Sequence, residues 1–339
     1  MRKNKIFLWL PTIGASLLAL GVFVFIWGHS PVSSVSVGSL GEREKSVLVV
    51  GVDDAGENTD VLLLCTQNLD SGALKILQIP RDTLYRTENG TGKINRIFRY
   101  NSLKYGRKRA AEMLSEGISG ALGVAVDAYL LFDGKTVKEF VDLIGGVTVD
   151  VPFSFTYTDS ETGESRTLAA GEKSLSGEEA LAFVRHRASY AEGDLGRLDA
   201  QMRFLSGVCE GVPRLKKWNR LLAVYQKILP NLLTNLREKD IIELMMAYLK
   251  AGRSVSVSFL RLPGEAAYTN GVWYYVLHRA ATEKMLATEL GADIPFDDKA
   301  RFVDPETEAV RNVYFYPVTD YRVHTPSDVK TGRIIPKKS

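Results

Sequence analysis

The feature that most constrains this chain is an uncharged run of 22 residues, Ile6 to Trp27, in a sequence of 339. At about 1.5 Å of rise per residue, a helix of that length crosses the roughly 30 Å hydrocarbon layer of a bilayer. Arg2, Lys3 and Lys5 precede it. The positive-inside bias therefore holds the amino terminus in the cytoplasm and places everything after residue 28 across the membrane. Trp9 and Trp27 stand near the two ends, where interfacial aromatics belong. A cleaved signal peptide would carry an apolar stretch of about 7–15 residues closed by small side chains. This one ends FVFIWGHSP, so residues 1–28 are expected to be a cytoplasmic stub and a retained single-pass anchor in the cell membrane. A linker over 29–44, an extracytoplasmic domain over 45–295 and a tail over 296–339 complete the expected layout.

The formal charge is +3, and the three cations ahead of the anchor account for it. The exported part is neutral, which argues against direct nucleic-acid contact. Cys65 and Cys209 are too few for a disulfide scaffold or a structural zinc site, and the sequence leaves open whether they pair. Short β-branched runs alternate with helical stretches, the pattern of an α/β domain. SVLVVGVD (46–53), VLLLCTQN (61–68) and ALKILQIP (73–80) read as strands buried on both faces. A helix is expected over 95–116, a strand over 128–132, a helix over 134–144, and over 147–155 a strand or strand pair interrupted by Pro152. Ser176 with Glu179 forms a capping box that opens a helix toward Phe183. Residues 195 to about 250 read as mostly helical, 255–262 as a strand and 278–290 as a last helix.

Three charged clusters sit at the ends of these elements. In GVDDAGENTD, Asp53 and Asp54 close one strand and Asp60 opens the next, a pattern that alone reads first as a solvated acidic turn and otherwise as a site for a hard cation such as magnesium. In IPRDT and KINR, Arg81 and Asp82 follow a strand while Lys93 and Arg96 flank a helix start, so the choice is an anion site or surface ion pairs. AFVRHRASYAEGDLGRLDAQ holds Arg185, Arg187, Arg197 and Gln201. The first two alternate as extended residues pointing one way, and the last two share a helix face. Guanidinium forks match phosphate oxygens, so their convergence suggests a pyrophosphate. His186 between the two arginines reads as structural and Cys65 as core. No Walker loop, GxGxxG, GxSxG or HExxH is present.

Taken in order, the anchor, GVD, the later Asp60, IPRDT, KIN, LIGGVTVDVP, LSGEEALAFVRHR and DLGRLDAQ resemble the LytR-CpsA-Psr family over about residues 45–212. LPGEAAYTNGVWYY (262–275) is similar to the segment that follows in that family. The resemblance implies a central mixed β-sheet flanked by helices behind one transmembrane helix. It also implies a phosphotransferase that moves a glycopolymer, such as a teichoic acid, from a polyprenyl-pyrophosphate carrier to peptidoglycan. Under it Asp53 and Asp60 hold Mg2+, with Mn2+ as a substitute; Arg81, Lys93, Arg185, Arg187, Arg197 and Gln201 surround the pyrophosphate; and Arg81, Asp82, Arg185 and Arg187 are catalytic. Two arginines usual in the family are absent here, replaced by Asn58 and Ala200, and Asp54 is extra. The departures leave three alternatives: a weaker site, a differently tuned one, or compensation by Arg96 or Arg99. Three other readings use the same site: a noncatalytic binder of the lipid intermediate, an envelope-linked regulator of the transcriptional-attenuator kind, and a pyrophosphatase in which water replaces the acceptor.

Overall fold

The three apolar runs at the start of the domain become neighbouring antiparallel strands, β1 (Glu44–Val52), β2 (Thr59–Asn68) and β3 (Leu74–Gln78), with Leu48 opposite Leu64 and Cys65 opposite Ile76. This is a computed structural model. It describes residues 43–211, 226–292 and 321–330, apart from positions 88, 89, 192, 238, 242, 245, 246, 248–255 and 270. The expected anchor, nearly all of the linker and most of the tail lie outside the described residues. Among the described residues no helix is long and apolar enough to cross a membrane.

A small hairpin, β4 (Leu84–Thr87) and β5 (Gly90–Lys93), leads into α1 (Asn95–Leu122). That helix carries the chain over the sheet to β6 (Ala128–Phe132), which lies parallel to β1 with Leu130 opposite Val49. Next come α2 (Gly134–Ile144), β7 (Val147–Val151), β8 (Phe155–Thr158), β9 (Ser165–Leu168), β10 (Gly171–Leu175), α3 (Gly177–Arg185) and α4 (Asp194–Gly211). β7 pairs with β10, and β8 with β9. Then β11 (Leu233–Thr234) and β12 (Val257–Arg261) complete a mixed sheet of six strands in the order β11-β6-β1-β2-β3-β12. The hairpin β13 (Gly264–Thr269) and β14 (Val272–Leu277), α5 (Arg279–Leu290) and α6 (Pro326–Lys330) finish the described chain.

Alternation along β1 builds two cores from one strand. Leu48, Val50 and Val52 pack with Phe98, Leu114 and Ile118 of α1 and Met285 of α5, while Val47 and Val49 pack with Met202, Leu205 and Cys209 of α4. Each fully buried side chain of this kind stabilises the fold by about 1.5–3 kcal/mol, so helices on both faces follow from a strand that is apolar throughout. A third cluster joins α2, α3 and β7 to α4 through Val141, Phe183 and Val208. Both cysteines are free and buried in the α4-side core.

Several elements differ from the sequence expectation. α1 runs on to Leu122, and Gly106 breaks its helical geometry at φ 81°, ψ 162°. Such a conformation is open only to glycine. The stretch after residue 195 is not one helical run, because Pro230 and the β-prone Leu232–Thr234 interrupt it and β11 adds to the edge of β6. There Thr234 Oγ1 donates to Tyr129 O at 2.5 Å, and Asn235 Oδ1 accepts from Tyr129 N at 2.8 Å. Part of the expected tail returns to the domain. His324 and Phe259 exchange backbone hydrogen bonds of 2.8 and 2.9 Å, and Val329 is fully buried.

Candidate functional site

β1 and β2 deliver their carboxylates from adjacent ends. The chain leaves β1 at Asp53 and folds its loop back onto that side chain: Oδ1 accepts from the N–H groups of Glu57 (2.9 Å) and Asn58 (3.2 Å), and Oδ2 from Asn58 Nδ2 (2.6 Å). Burial opposes the charge of Asp53, but these donors outweigh it and hold the carboxyl below its ordinary pKa.

Asp60, inside β2, makes a close ion pair with Arg81 and stands 3.9 Å from Arg197 Nη1. Asp194 bridges the same two arginines, at 3.4 Å from Arg81 Nη2 and 2.9 Å from Arg197 Nη2. The result is an alternating cluster of two carboxylates and two guanidinium groups. Burial works against both cations. Asp194, Asp60 and Asp82 reverse its effect at Arg81, raising that pKa, whereas the more deeply buried Arg197 ends below its usual value. The Nε atoms of both arginines are buried without a hydrogen-bond partner, two unspent donors in one place. Asp194 is not among the residues the sequence analysis singles out, although its i,i+3 spacing to Arg197 is the signal that marks it.

Beside this cluster Lys93 Nζ lies 3.0 Å from Asp82 and 5.9 Å from the centre of the Tyr274 ring. Arg185 is the last residue of α3 rather than part of an extended run, because the capping box carries the helix through it before His186 turns to β geometry. Its guanidinium grips Asp54 with two hydrogen bonds, 2.9 Å to Oδ2 and 2.6 Å to Oδ1, which lowers the pKa of Asp54 and raises that of Arg185. Gly134 makes the room for this pair, since a Cβ there would stand 2.6 Å from Arg185 Nη2. Arg187 is exposed and makes no side-chain ion pair among the described residues. His186 is structural as expected: its ring stacks on Phe155 at 3.9 Å, and burial lowers its pKa.

Two spaces are built from these elements. One is an open cleft of about 1560 Å³, lined by Asp53, Asn58, Asp60, Arg81, Asp82 and Lys93 and continuing past Arg96 and Arg99 along α1. The other is an apolar cavity of about 90 Å³ between the sheet, α2 and α4. Its walls include Val61, Phe132, Val184 and Phe204, of which Val61 follows Asp60 and Val184 precedes Arg185 in the sequence. Gln201 belongs to this cavity wall and accepts from Gln78 Nε2 at 3.4 Å, apart from the arginine cluster. Phe204, Leu205 and Val208 are what α4 contributes to the apolar part of that wall.

The two departures have different structural sequels. Ala200 is fully buried in the third apolar cluster. Asn58 holds Asp53 and, through Oδ1, accepts from Arg99 Nη1 at 3.4 Å, which brings a helix cation to this edge of the cleft. The donor set suits a hard ion: Asp53 and Asp60 both face the cleft with oxygen donors, and magnesium completes its shell with water and phosphate oxygens. Among the described residues no group of three or more His, Cys, Asp or Glu side chains is placed to hold a metal.

The charged cleft and the mostly apolar cavity thus draw on neighbouring residues of β2, α3 and α4. By the comparisons, the chain belongs to the LytR_cpsA_psr family, matched over residues 29–290. It is 27% identical over 292 residues to a polyisoprenyl-teichoic acid–peptidoglycan teichoic acid transferase, TagU, of Bacillus licheniformis, covering 81% of this chain and 91% of that one. Protein gbs0355 of Streptococcus agalactiae shares the fold, with a TM-score of 0.63 at 23% identity over 77% of this chain and 92% of that one. TagT bound to LIIa-WTA aligns with a TM-score of 0.56 at 26% identity, covering 77% and 95% of the two chains.

Proposed function

We propose that this protein is a phosphotransferase that moves a glycopolymer from a polyprenyl-pyrophosphate carrier to peptidoglycan, working outside the cell from a single-pass membrane anchor. The observations that carry the reading are the arginine–carboxylate cluster, with Arg81 and Asp60 on the wall of the open cleft, and an apolar cavity built from neighbouring residues of β2, α3 and α4. The pyrophosphate lies against Arg81, Arg197 and Arg185, with Lys93 and Arg187 at the margin, while the polyprenyl chain enters the apolar side past Gln201. Asp53 and Asp60 are the residues that would hold magnesium, and a bound ion supplies neutralisation of phosphate charge.

The acceptor hydroxyl attacks the sugar-side phosphorus, forming a new O–P bond as the P–O–P link breaks. The lipid leaves as polyprenyl phosphate, and the hydroxyl proton is released into the solvent-open cleft. A phosphoryl transfer of this kind asks the protein for position and charge rather than for a strong base. That accords with Asp53 and Asp54, both of which are held ionised below their ordinary pKa and so make weak bases.

The test uses the full-length protein in detergent with polyprenyl-pyrophosphate oligosaccharide and peptidoglycan fragments, with and without magnesium, and mass spectrometry of the products. A sugar phosphate joined to the glycan is expected. Arg185→Ala should lower its formation by about 10²-fold or more, the usual cost of losing one charge-stabilising donor. Intact bound lipid would replace the transferase by a noncatalytic binder, and polyprenyl phosphate released without a joined product would make the protein a hydrolase.

A further inference from the structure

The cleft is larger than a pyrophosphate needs. At about 1560 Å³ it exceeds the roughly 300–1,000 Å³ of an ordinary small-ligand pocket, and its outer half is built differently from its inner half. There the first part of α1 presents Arg96, Arg99, Tyr100, Leu103 and Lys104 at helical spacing along one face, with Tyr105 beside them, all lining the cleft. Tyr100, Leu103 and Tyr105 are 53%, 70% and 51% exposed, a concentration of uncovered apolar surface absent from the rest of the helix. Lys104 Nζ sits over the Tyr105 ring, 4.9 Å from its centre. The stripe ends at Gly106, whose glycine-only backbone turns the second half of α1 back into the core at Ala110, Ala111 and Leu114.

We propose that this outer half is a saccharide subsite, in which Tyr100, Leu103 and Tyr105 form a platform for the apolar faces of pyranose rings and Arg96, Arg99 and Lys104 bond their hydroxyl or acidic groups. The proposal rests on the reading above that the inner half holds the pyrophosphate, since the sugars on either side of the reacting phosphorus must then leave along this wall. Aromatic rings stacked on ligand rings combine large contact area with little entropy loss, and cations at their edges supply the polar contacts. The same residues on a convex face would suit a bilayer surface. Here they line a concave cleft continuous with Asp53 and Arg81 and share it with Glu116, and a concave wall does not lie flat on a membrane. Two sources present pyranose chains at this place, the donor glycopolymer and the acceptor glycan strand.

The test compares the full-length protein with Tyr100→Ala/Tyr105→Ala, both in detergent, on three probes: polyprenyl pyrophosphate without sugar, the same lipid carrying an oligosaccharide, and soluble peptidoglycan glycan fragments. The mutated rings are exposed, so the melting temperature is expected to hold. The double variant should bind the sugar-free lipid as the parent does and lose about tenfold, equivalent to about 1.4 kcal/mol, on the oligosaccharide lipid or on the glycan fragments. The affected probe identifies the donor or the acceptor side, and Tyr100→Trp should retain binding. Unchanged affinity for both glycan probes overturns the platform, as does unchanged glycan affinity with weakened attachment to anionic vesicles, which would assign the stripe to the membrane. Failure of the parent to bind the sugar-free lipid would instead overturn the phosphate reading, and the glycan fragments would still decide the platform.

Discussion

Asp60 has two duties that removal separates. Its carboxylate is a candidate metal ligand, yet it is also the anion that lets Arg81 and Arg197 lie side by side, with side chains only 18% and 7% exposed. Asp60→Ala leaves those cations sharing Asp194, with Asp82 3.9 Å from Arg81 Nε as the other nearby carboxylate. Breaking a buried pair by deleting one partner costs about 3–5 kcal/mol. Asp194 remains at 3.4 and 2.9 Å and the cleft admits water, so the low end applies, about 3 kcal/mol. At about 2–4 °C per kcal/mol for a domain somewhat smaller than this one, the melting temperature falls by about 6–12 °C. A double-mutant cycle with Arg81→Ala isolates the cause, because removing Arg81 from the Asp60→Ala protein also removes a repulsion. The combined loss should then be smaller than the sum of the single losses by at least about 0.5 kcal/mol. Calorimetry or chemical denaturation of all four proteins measures it. Additive losses, or a shift below about 2 °C for Asp60→Ala, would refute the claim that this carboxylate neutralises the cluster.

Gly134→Ala places a Cβ 2.6 Å from Arg185 Nη2, where a flexible guanidinium yields readily, so melting should be unchanged or slightly raised while transfer falls about tenfold or more. Loss of stability with intact transfer would show that the Asp54–Arg185 pair has no part in the reaction. Burial pushes the Cys209 thiol up to about 12 and the Cys65 thiol higher still, so neither should react with a maleimide in the native protein, and both should react in denaturant, read by intact mass. Asp53 and Asp54 titrate below their ordinary values in the fold. The stability they contribute is complete above the unfolded carboxyl pKa of about 3.9 and is lost as pH falls through the lower folded values. Melting curves of Asp53→Asn and Asp54→Asn should therefore differ from the parent by a constant amount from neutral pH to about pH 5, converging only in stronger acid.

The sheet was legible because β1, β2 and β3 are apolar on both faces, and the α3 start because Ser176 and Glu179 form the capping box seen in the structure. The hairpins β4–β5 and β13–β14 were not expected from their polar or mixed strands, although each run contains an Asn-Gly dipeptide, at 89–90 and 270–271, the strongest short-range hairpin signal. β11 is two residues long and exists through its edge pairing with β6, a tertiary fact no local pattern carries. In the site, residue types and spacings single out Arg81, Arg185 and Arg197, but not which carboxylates the fold sets against them. Asp54 reaches Arg185 across 131 residues of sequence, and Asp194 reaches Arg81 across 113.

Those partners change the physical meaning of the cations. Spacing alone presents Arg81, Arg185 and Arg197 as free charges waiting for phosphate, whereas the fold shows each already neutralised by Asp60, Asp194 or Asp54. A pyrophosphate entering here gains only the difference between its own bonds and those the carboxylates give up. The arginine that yields most readily is then Arg185, whose partner Asp54 is 72% exposed and rehydrates cheaply once released. Arg81 and Arg197 are held in the alternating cluster, where their Nε atoms are buried without a hydrogen-bond partner. On the proposed reading, the exposed Asp54–Arg185 pair is the one that would exchange its carboxylate for the anion, while the buried cluster keeps its own ion pairs. For a site that must let a lipid phosphate go after each transfer, charges already paired in the empty state are better suited than bare ones, because every departing anion is replaced by a carboxylate one side chain away.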